Sequence, residues 1–131
     1  MTGEMMKLTR VLVVDDNEDA ATSFGELLNM AGYQVKTAFN GREALLVAES
    51  FRPEACVLDI NMPEMDGYQL ARQLRDQNPD HPPVFATVTA KGDYGHLGQA
   101  VEAGFDLHFT KPADPQEVME QLEWCMGKQV G

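Results

Sequence analysis

The chain has 131 residues, enough for one domain with a real core and too few for two ordinary ones. Ten basic against 21 acidic residues leave a net charge of -11, a field that repels phosphate backbones and argues against direct nucleic-acid binding. With 44% hydrophobic residues and no apolar run of membrane-spanning length, it reads as a soluble cytoplasmic protein with no transmembrane helix and no secretory signal.

The first apolar run, VLVV at 11–14, is β-branched and reads as a buried strand. It stops on Asp15 and Asp16, and since an unpaired buried carboxylate is costly, the pair must face something that compensates it. Ala20, Ala21, Phe24, Leu27, Leu28 and Ala31 follow at helical spacing, with Gly32 as a C′ residue. A second strand is predicted over 33–38. Asn40 then serves as an N-cap with Glu43 three residues on, ahead of Ala44, Leu45 and Ala48, and Pro53 bars continuation. The third apolar run, 55–58, ends at Asp59 and contains Cys56. Neither Cys56 nor Cys125 has partners at metal-ligand spacing, so both read as reduced thiols.

Asp66 can cap a third helix whose Tyr68, Leu70, Ala71 and Leu74 share one side, and NPDHPP reads as a loop. A fourth strand is predicted over 84–89 and a fifth, of alternating character, over 105–110. The helix between them carries Gly92, Gly95 and Gly98, each costing roughly 1 kcal/mol relative to Ala in a helix interior, so it should be the weakest. The last helix has Asp114 as N-cap, Pro115 at N1, Glu117 at N3, and Val118, Leu122 and Cys125 on one face. His81, His96, Arg72 and Arg75 read as surface residues, and Trp124 as packing.

Strands that alternate with helices imply a parallel sheet with right-handed crossovers, and in such sheets sites form at the carboxyl ends of the strands. Asp15, Asp16, Asp59, Thr89 and Lys111 all fall at strand ends on that one rim. Three carboxylates together would raise one another's pKa values, and a hard divalent cation such as Mg²⁺ removes the conflict. Lys111 and the Thr89 hydroxyl suit phosphoryl oxygens, which makes the rim a phosphoryl-transfer site with Asp59 as the nucleophile. Asp15, Asn17, Asp19 and Glu26 also match an EF-hand spacing. Ala20 stands where that turn needs Gly, however, and a strand precedes it.

The segments VLVVDDNED, CVLDINMPEMDGYQL, VTAKG and FTKPAD resemble the receiver domains of two-component response regulators, over about 9–126. The resemblance implies a flavodoxin-like doubly wound (βα)5 α/β fold with a five-stranded parallel sheet in strand order 2-1-3-4-5, as a single receiver domain over 1–131. It implies that Asp59 accepts a phosphoryl group from a phosphohistidine on a sensor histidine kinase or histidine phosphotransfer protein. Asp16 and Asp59 would ligate Mg²⁺ directly, Asn61 through its backbone carbonyl, and Asp15 through water. Lys111 would pair with the aspartate or its phosphate and precede a Pro112 whose peptide bond is often cis in the family. Thr89 would be drawn to the phosphoryl group, and Asn61 and Lys91 would tune its lifetime.

The output would be a changed surface of the fourth helix, fifth strand and fifth helix that controls a protein partner. His108 departs from the family's usual Tyr or Phe at the switch position. The segment GFDLHFTKPADP is more similar to stand-alone or kinase-attached receivers than to DNA-binding regulators. Such a protein is a switch with self-phosphorylation and autodephosphorylation chemistry rather than a turnover enzyme. The competing readings are a phosphorylation-independent interaction domain and an aspartyl-phosphate phosphatase. Asn61 argues against the latter, because it stands where such a hydrolase needs an acid.

Overall fold

The computed structural model of the protein describes residues 9–89 and 105–127. In chain order these form β1 (Arg10–Val14), α1 (Glu18–Met30), β2 (Gln34–Ala38), α2 (Gly41–Phe51), β3 (Ala55–Asp59), α3 (Gly67–Gln77), β4 (Val84–Thr89), β5 (Leu107–Thr110) and α4 (Pro115–Gly127). All four strand pairings are parallel, and the sheet order is β2-β1-β3-β4-β5, as expected. The glycine-bearing helix predicted around Gly92, Gly95 and Gly98 lies outside the described residues, together with Lys91 and His96.

The two-residue side-chain period of a strand sorts the core into two layers. Val11, Val13, Val57, Val88 and Phe109 face Leu28 of α1 and Val118 and Leu122 of α4. Leu12, Val14, Leu58 and Phe85 face Ala44 of α2 and Leu70 and Leu74 of α3. Because β1 and β3 are covered on both faces, their runs 11–14 and 55–58 are apolar without alternation, which is why the sequence marked them so clearly; β4 is equally buried but carries Thr87 and Thr89.

The helix starts are built from the predicted caps. Asn40 Oδ1 accepts from the Glu43 N–H at 2.8 Å, and Glu43 reaches back to the Phe39 N–H at 2.7 Å. Asp66 and Gln69 form a reciprocal capping box, and Asp114 Oδ1 accepts from the Gln116 N–H at 3.0 Å. Asn17, noted from sequence only for its EF-hand spacing, caps α1 through the Ala20 N–H. α2 ends on Arg52 in a left-handed conformation (φ 52°) that a side chain strains and Gly does not. Arg52→Gly is therefore expected to raise stability by up to about 1 kcal/mol, read as a higher urea midpoint at unchanged slope.

The structure corrects several expectations. On α1 the buried positions are Ala21, Gly25 and Leu28, while Ala20, Leu27 and Ala31 face outward. Gly25 is the contact point because a Cβ there would lie 3.0 Å from Thr37 Cγ2 and 3.3 Å from Val35 Cγ1, so the helix sits close on β2. β5 begins at Leu107, and Phe105 instead packs between Tyr68 and Phe85. The Arg75 guanidinium lies 5.4 Å from the centre of the Phe85 ring rather than standing in water alone, and Trp124, read from sequence as a packing residue, is 62% exposed. Cys56 is buried, which pushes its thiol up, and neither cysteine forms a disulfide.

Candidate functional site

The carboxyl rim of the sheet brings together five of the residues selected from sequence. Asp15 and Asp16 follow β1, Asp59 closes β3, Thr89 closes β4 and Lys111 follows β5. Register places Asp59 opposite Val88, one residue before Thr89, and the Lys111 N–H donates to the Thr89 carbonyl at 2.7 Å. The Lys111–Pro112 peptide bond is cis.

Asp15 and Asp59 are buried, whereas Asp16 is exposed. The Lys111 ammonium spans the two buried carboxylates, 3.2 Å from Asp15 Oδ2 and 3.4 Å from Asp59 Oδ2. Their other oxygens accept from backbone: Asp15 Oδ1 from the Asn17 N–H at 3.0 Å and Asp59 Oδ1 from the Asn61 N–H at 3.3 Å. A recess of about 470 Å³ opens over this group, lined by Asp16, Asn17, Asp59, Asn61 and Lys111.

One lysine does not neutralise this arrangement. Burial, and then the Asp15 charge, push the Asp59 carboxyl up to about 7 against the opposing pull of Lys111. Burial works to lower the Lys111 ammonium, but Asp59 and Asp15 outweigh it and hold it above the ordinary lysine value. One oxygen each from Asp15, Asp16 and Asp59 lie within 4.8 Å of one another, an all-oxygen cluster of the kind a hard divalent cation takes. The surplus negative charge and the donor set together fit such an ion.

Sequence reasoning missed two supports. Gly67 donates its N–H to the Ile60 carbonyl at 3.1 Å, and a Cβ there would come within 2.8 Å of the Asp59 carbonyl oxygen, so only glycine lets α3 start this close to the site. The signal was the Gly that follows Asp66. Thr87, one turn of the pleat before Thr89, contacts His108 Nδ1 at 2.6 Å, while His108 Nε2 lies 3.4 Å from Thr89 Oγ1. Nothing in a β-branched strand residue announces such a bond.

The response regulator receiver domain family matches residues 11–123. Among curated relatives, the chain is 39% identical over 114 residues to the alkaline phosphatase synthesis transcriptional regulatory protein PhoP of Bacillus subtilis, covering 87% of this chain and 47% of that protein. It is 41% identical over 114 residues to the transcriptional regulatory protein PrrA of Mycobacterium leprae, covering 87% and 48%. The chain thus spans about half the length of the curated relatives it matches. Among solved structures, it superposes on a CheY-like response regulator receiver domain protein from Methanospirillum hungatei (TM-score 0.84, 26% identity, 95% and 98% covered). The Vibrio cholerae chemotaxis protein CheY4 gives a TM-score of 0.80 at 28% identity, with 90% and 98% covered. The match takes in β1 through most of α4, and with them every strand end on the charged rim: the chain belongs to the response regulator receiver domain family.

Proposed function

We propose that the protein is a phosphoryl-accepting signalling switch in which Asp59 is the acceptor. The observation that carries this reading is the buried Asp59 carboxylate beside Asp15, Asp16 and Lys111 at the mouth of an open recess. An Asp59 oxygen attacks the phosphorus of a phosphohistidine on a sensor histidine kinase or histidine phosphotransfer protein. The P–N bond breaks, and the imidazole leaves with the electron pair and takes up a proton.

Mg²⁺ held by Asp16, Asp59, the Asn61 carbonyl and, through water, Asp15 would supply charge neutralisation for the phosphoryl oxygens. Lys111 is placed to hold one of those oxygens, and its hold on Asp15 keeps it aimed when Asp59 is modified. The Thr89 hydroxyl, at the end of the neighbouring strand, donates to another. The protein acts on itself and slowly loses the group, with Asn61 and Lys91 setting the lifetime. Residues 1–131 work as a single receiver unit in the cytoplasm, and the modified surface controls a protein partner. The net charge of -11 favours a basic protein surface over nucleic acid. No helix among the described residues is long and apolar enough to cross a membrane.

Intact-protein mass after incubation with Mg²⁺ and acetyl phosphate tests the reading. One added phosphoryl group is expected, lost on chelation of Mg²⁺ and absent from Asp59→Asn. A protein that binds Mg²⁺ yet gains no mass from acetyl phosphate or from phosphohistidine donors is instead an interaction domain independent of phosphorylation.

A further inference from the structure

The side chains of Thr87 and Thr89 emerge on one face of β4, and the register sets Thr87 directly opposite His108 on β5. Thr87 and Thr89 are fully buried, at 0% and 1% exposure. Between them the His108 ring makes two unequal contacts, a tight one of 2.6 Å from Nδ1 to Thr87 Oγ1 and a loose one of 3.4 Å from Nε2 to Thr89 Oγ1. The ring is therefore turned inward. An outward turn would strip the buried Thr87 hydroxyl of its partner.

The direction of the tight bond follows from the proton inventory. A neutral imidazole has one nitrogen that donates and one that accepts, while a hydroxyl has a single proton to give. Among the described residues the Thr87 side chain meets one hydrogen-bond partner, His108 Nδ1. If Nδ1 carried the proton, in the neutral or the cationic ring, it would donate to Thr87 Oγ1. The buried hydroxyl proton would then be left without an acceptor among the described residues. The lower-cost arrangement has Thr87 donate to Nδ1, which puts the ring proton on Nε2.

We infer that Thr87 is a positioning residue: it fixes His108 inward as the Nε2–H tautomer, so that the ring donates toward the Thr89 oxygen and leaves the Thr89 hydroxyl proton for the phosphoryl group. The chain of donors runs Thr87 O–H to Nδ1, Nε2–H to Thr89 Oγ1, and Thr89 O–H to a phosphoryl oxygen, each bond polarising the next. The opposite tautomer would have Thr89 give its proton to Nε2 and turn its lone pairs toward the phosphoryl anion. The tight end anchors the ring and the loose end lets Thr89 swing. The inference rests on the reading of Asp59 as the phosphoryl acceptor.

The test combines side-chain ¹⁵N spectra of histidine-labelled full chain, with the His108 ring assigned by His108→Gln, and the rate of Mg²⁺-dependent phosphorylation by acetyl phosphate. In the resting wild type, Nδ1 should resonate as an unprotonated ring nitrogen and Nε2 as a protonated one. Thr87→Val should mix the two tautomers and slow phosphorylation by about threefold to tenfold, the loss of one ordinary hydrogen bond, and Thr87→Ser should restore both. A proton found on Nδ1 in the wild type overturns the inference. So does Thr87→Val with unchanged ring resonances, or a slowed rate that Ser does not rescue. A wild type that takes no phosphoryl group overturns the acceptor reading instead, and the ring spectra remain readable on their own.

Discussion

Asp59→Asn is expected to make the metal-free protein more stable at about pH 8 and to leave its stability nearly unchanged at about pH 4. The native carboxyl is pushed up to about 7, by burial first and then by Asp15, whereas in the unfolded chain it returns to roughly 3.9. The folded state thus holds a proton through the window in which the unfolded state has released it. The stability contributed by the protonated group is present in full below the unfolded value and is lost as pH rises through 7. Asparagine has the same shape and no charge to release, so it keeps that stability at high pH. The difference should grow between about pH 4 and pH 7 to a few kcal/mol in order of magnitude, with Lys111 still paired to Asp15. Urea titrations at both ends of this range, with a chelator present, measure it. An equal stabilisation at both ends would mean that the carboxylate charge is not its source. Saturating Mg²⁺ should narrow or reverse the gap, since the ion binds the folded wild type and stabilises it by about 2.7 kcal/mol at a hundredfold excess over its dissociation constant.

Gly67→Ala is expected to cost about 1–3 kcal/mol and to slow phosphorylation of Asp59. The added methyl would stand 2.8 Å from the Asp59 carbonyl oxygen, 2.9 Å from Ile60 Cδ1 and 3.1 Å from Ile60 Cα, and two of those three atoms are backbone. Relief requires α3 and the loop before it to move away from the end of β3, taking Asn61 and its hold on Asp59 with them. Gly41→Ala is the control. There the nearest atoms are Met65 Sδ at 2.5 Å and Met65 Cγ and Cβ at 3.0 Å, and a methionine side chain can turn aside. Urea midpoints of the two variants should separate, with the acetyl phosphate rate changed only in the first.

Which features could be read from the sequence follows from what each depends on. β1 and β3 are covered on both faces and so carry continuous apolar runs, and the caps at Asn40, Asp66 and Asp114 are local chemistry within four residues. The rim followed once the strands were known to be parallel, because Asp15, Asp59 and Lys111 are strand-end residues. What escaped depends on distances across the sheet. The inner stripe of α1 centres on Gly25 because β2 lies too close for a larger residue, and no hydrophobicity pattern selects a glycine as a core position. Arg75 is drawn to Phe85, and Phe105 leaves the strand to pack on Tyr68 and Phe85, through aromatic contacts between separate elements. The inward pose of His108 depends on a threonine opposite it in the register, visible only after β4 and β5 are paired.

The order in which the rim is supplied has a consequence for the nascent chain. All three carboxylates are present once β3 has been synthesised, but the lysine that spans two of them arrives 52 residues after Asp59, at the end of an edge strand that pairs with β4 alone. Until β5 docks, the ribosome-bound chain holds an acidic cluster without the lysine that spans Asp15 and Asp59 in the folded molecule. If Asp59 is the phosphoryl acceptor and needs Lys111 beside it, full reactivity is expected only after synthesis has passed residue 111 and β5 has joined the sheet, which would couple the switch to closure of that edge.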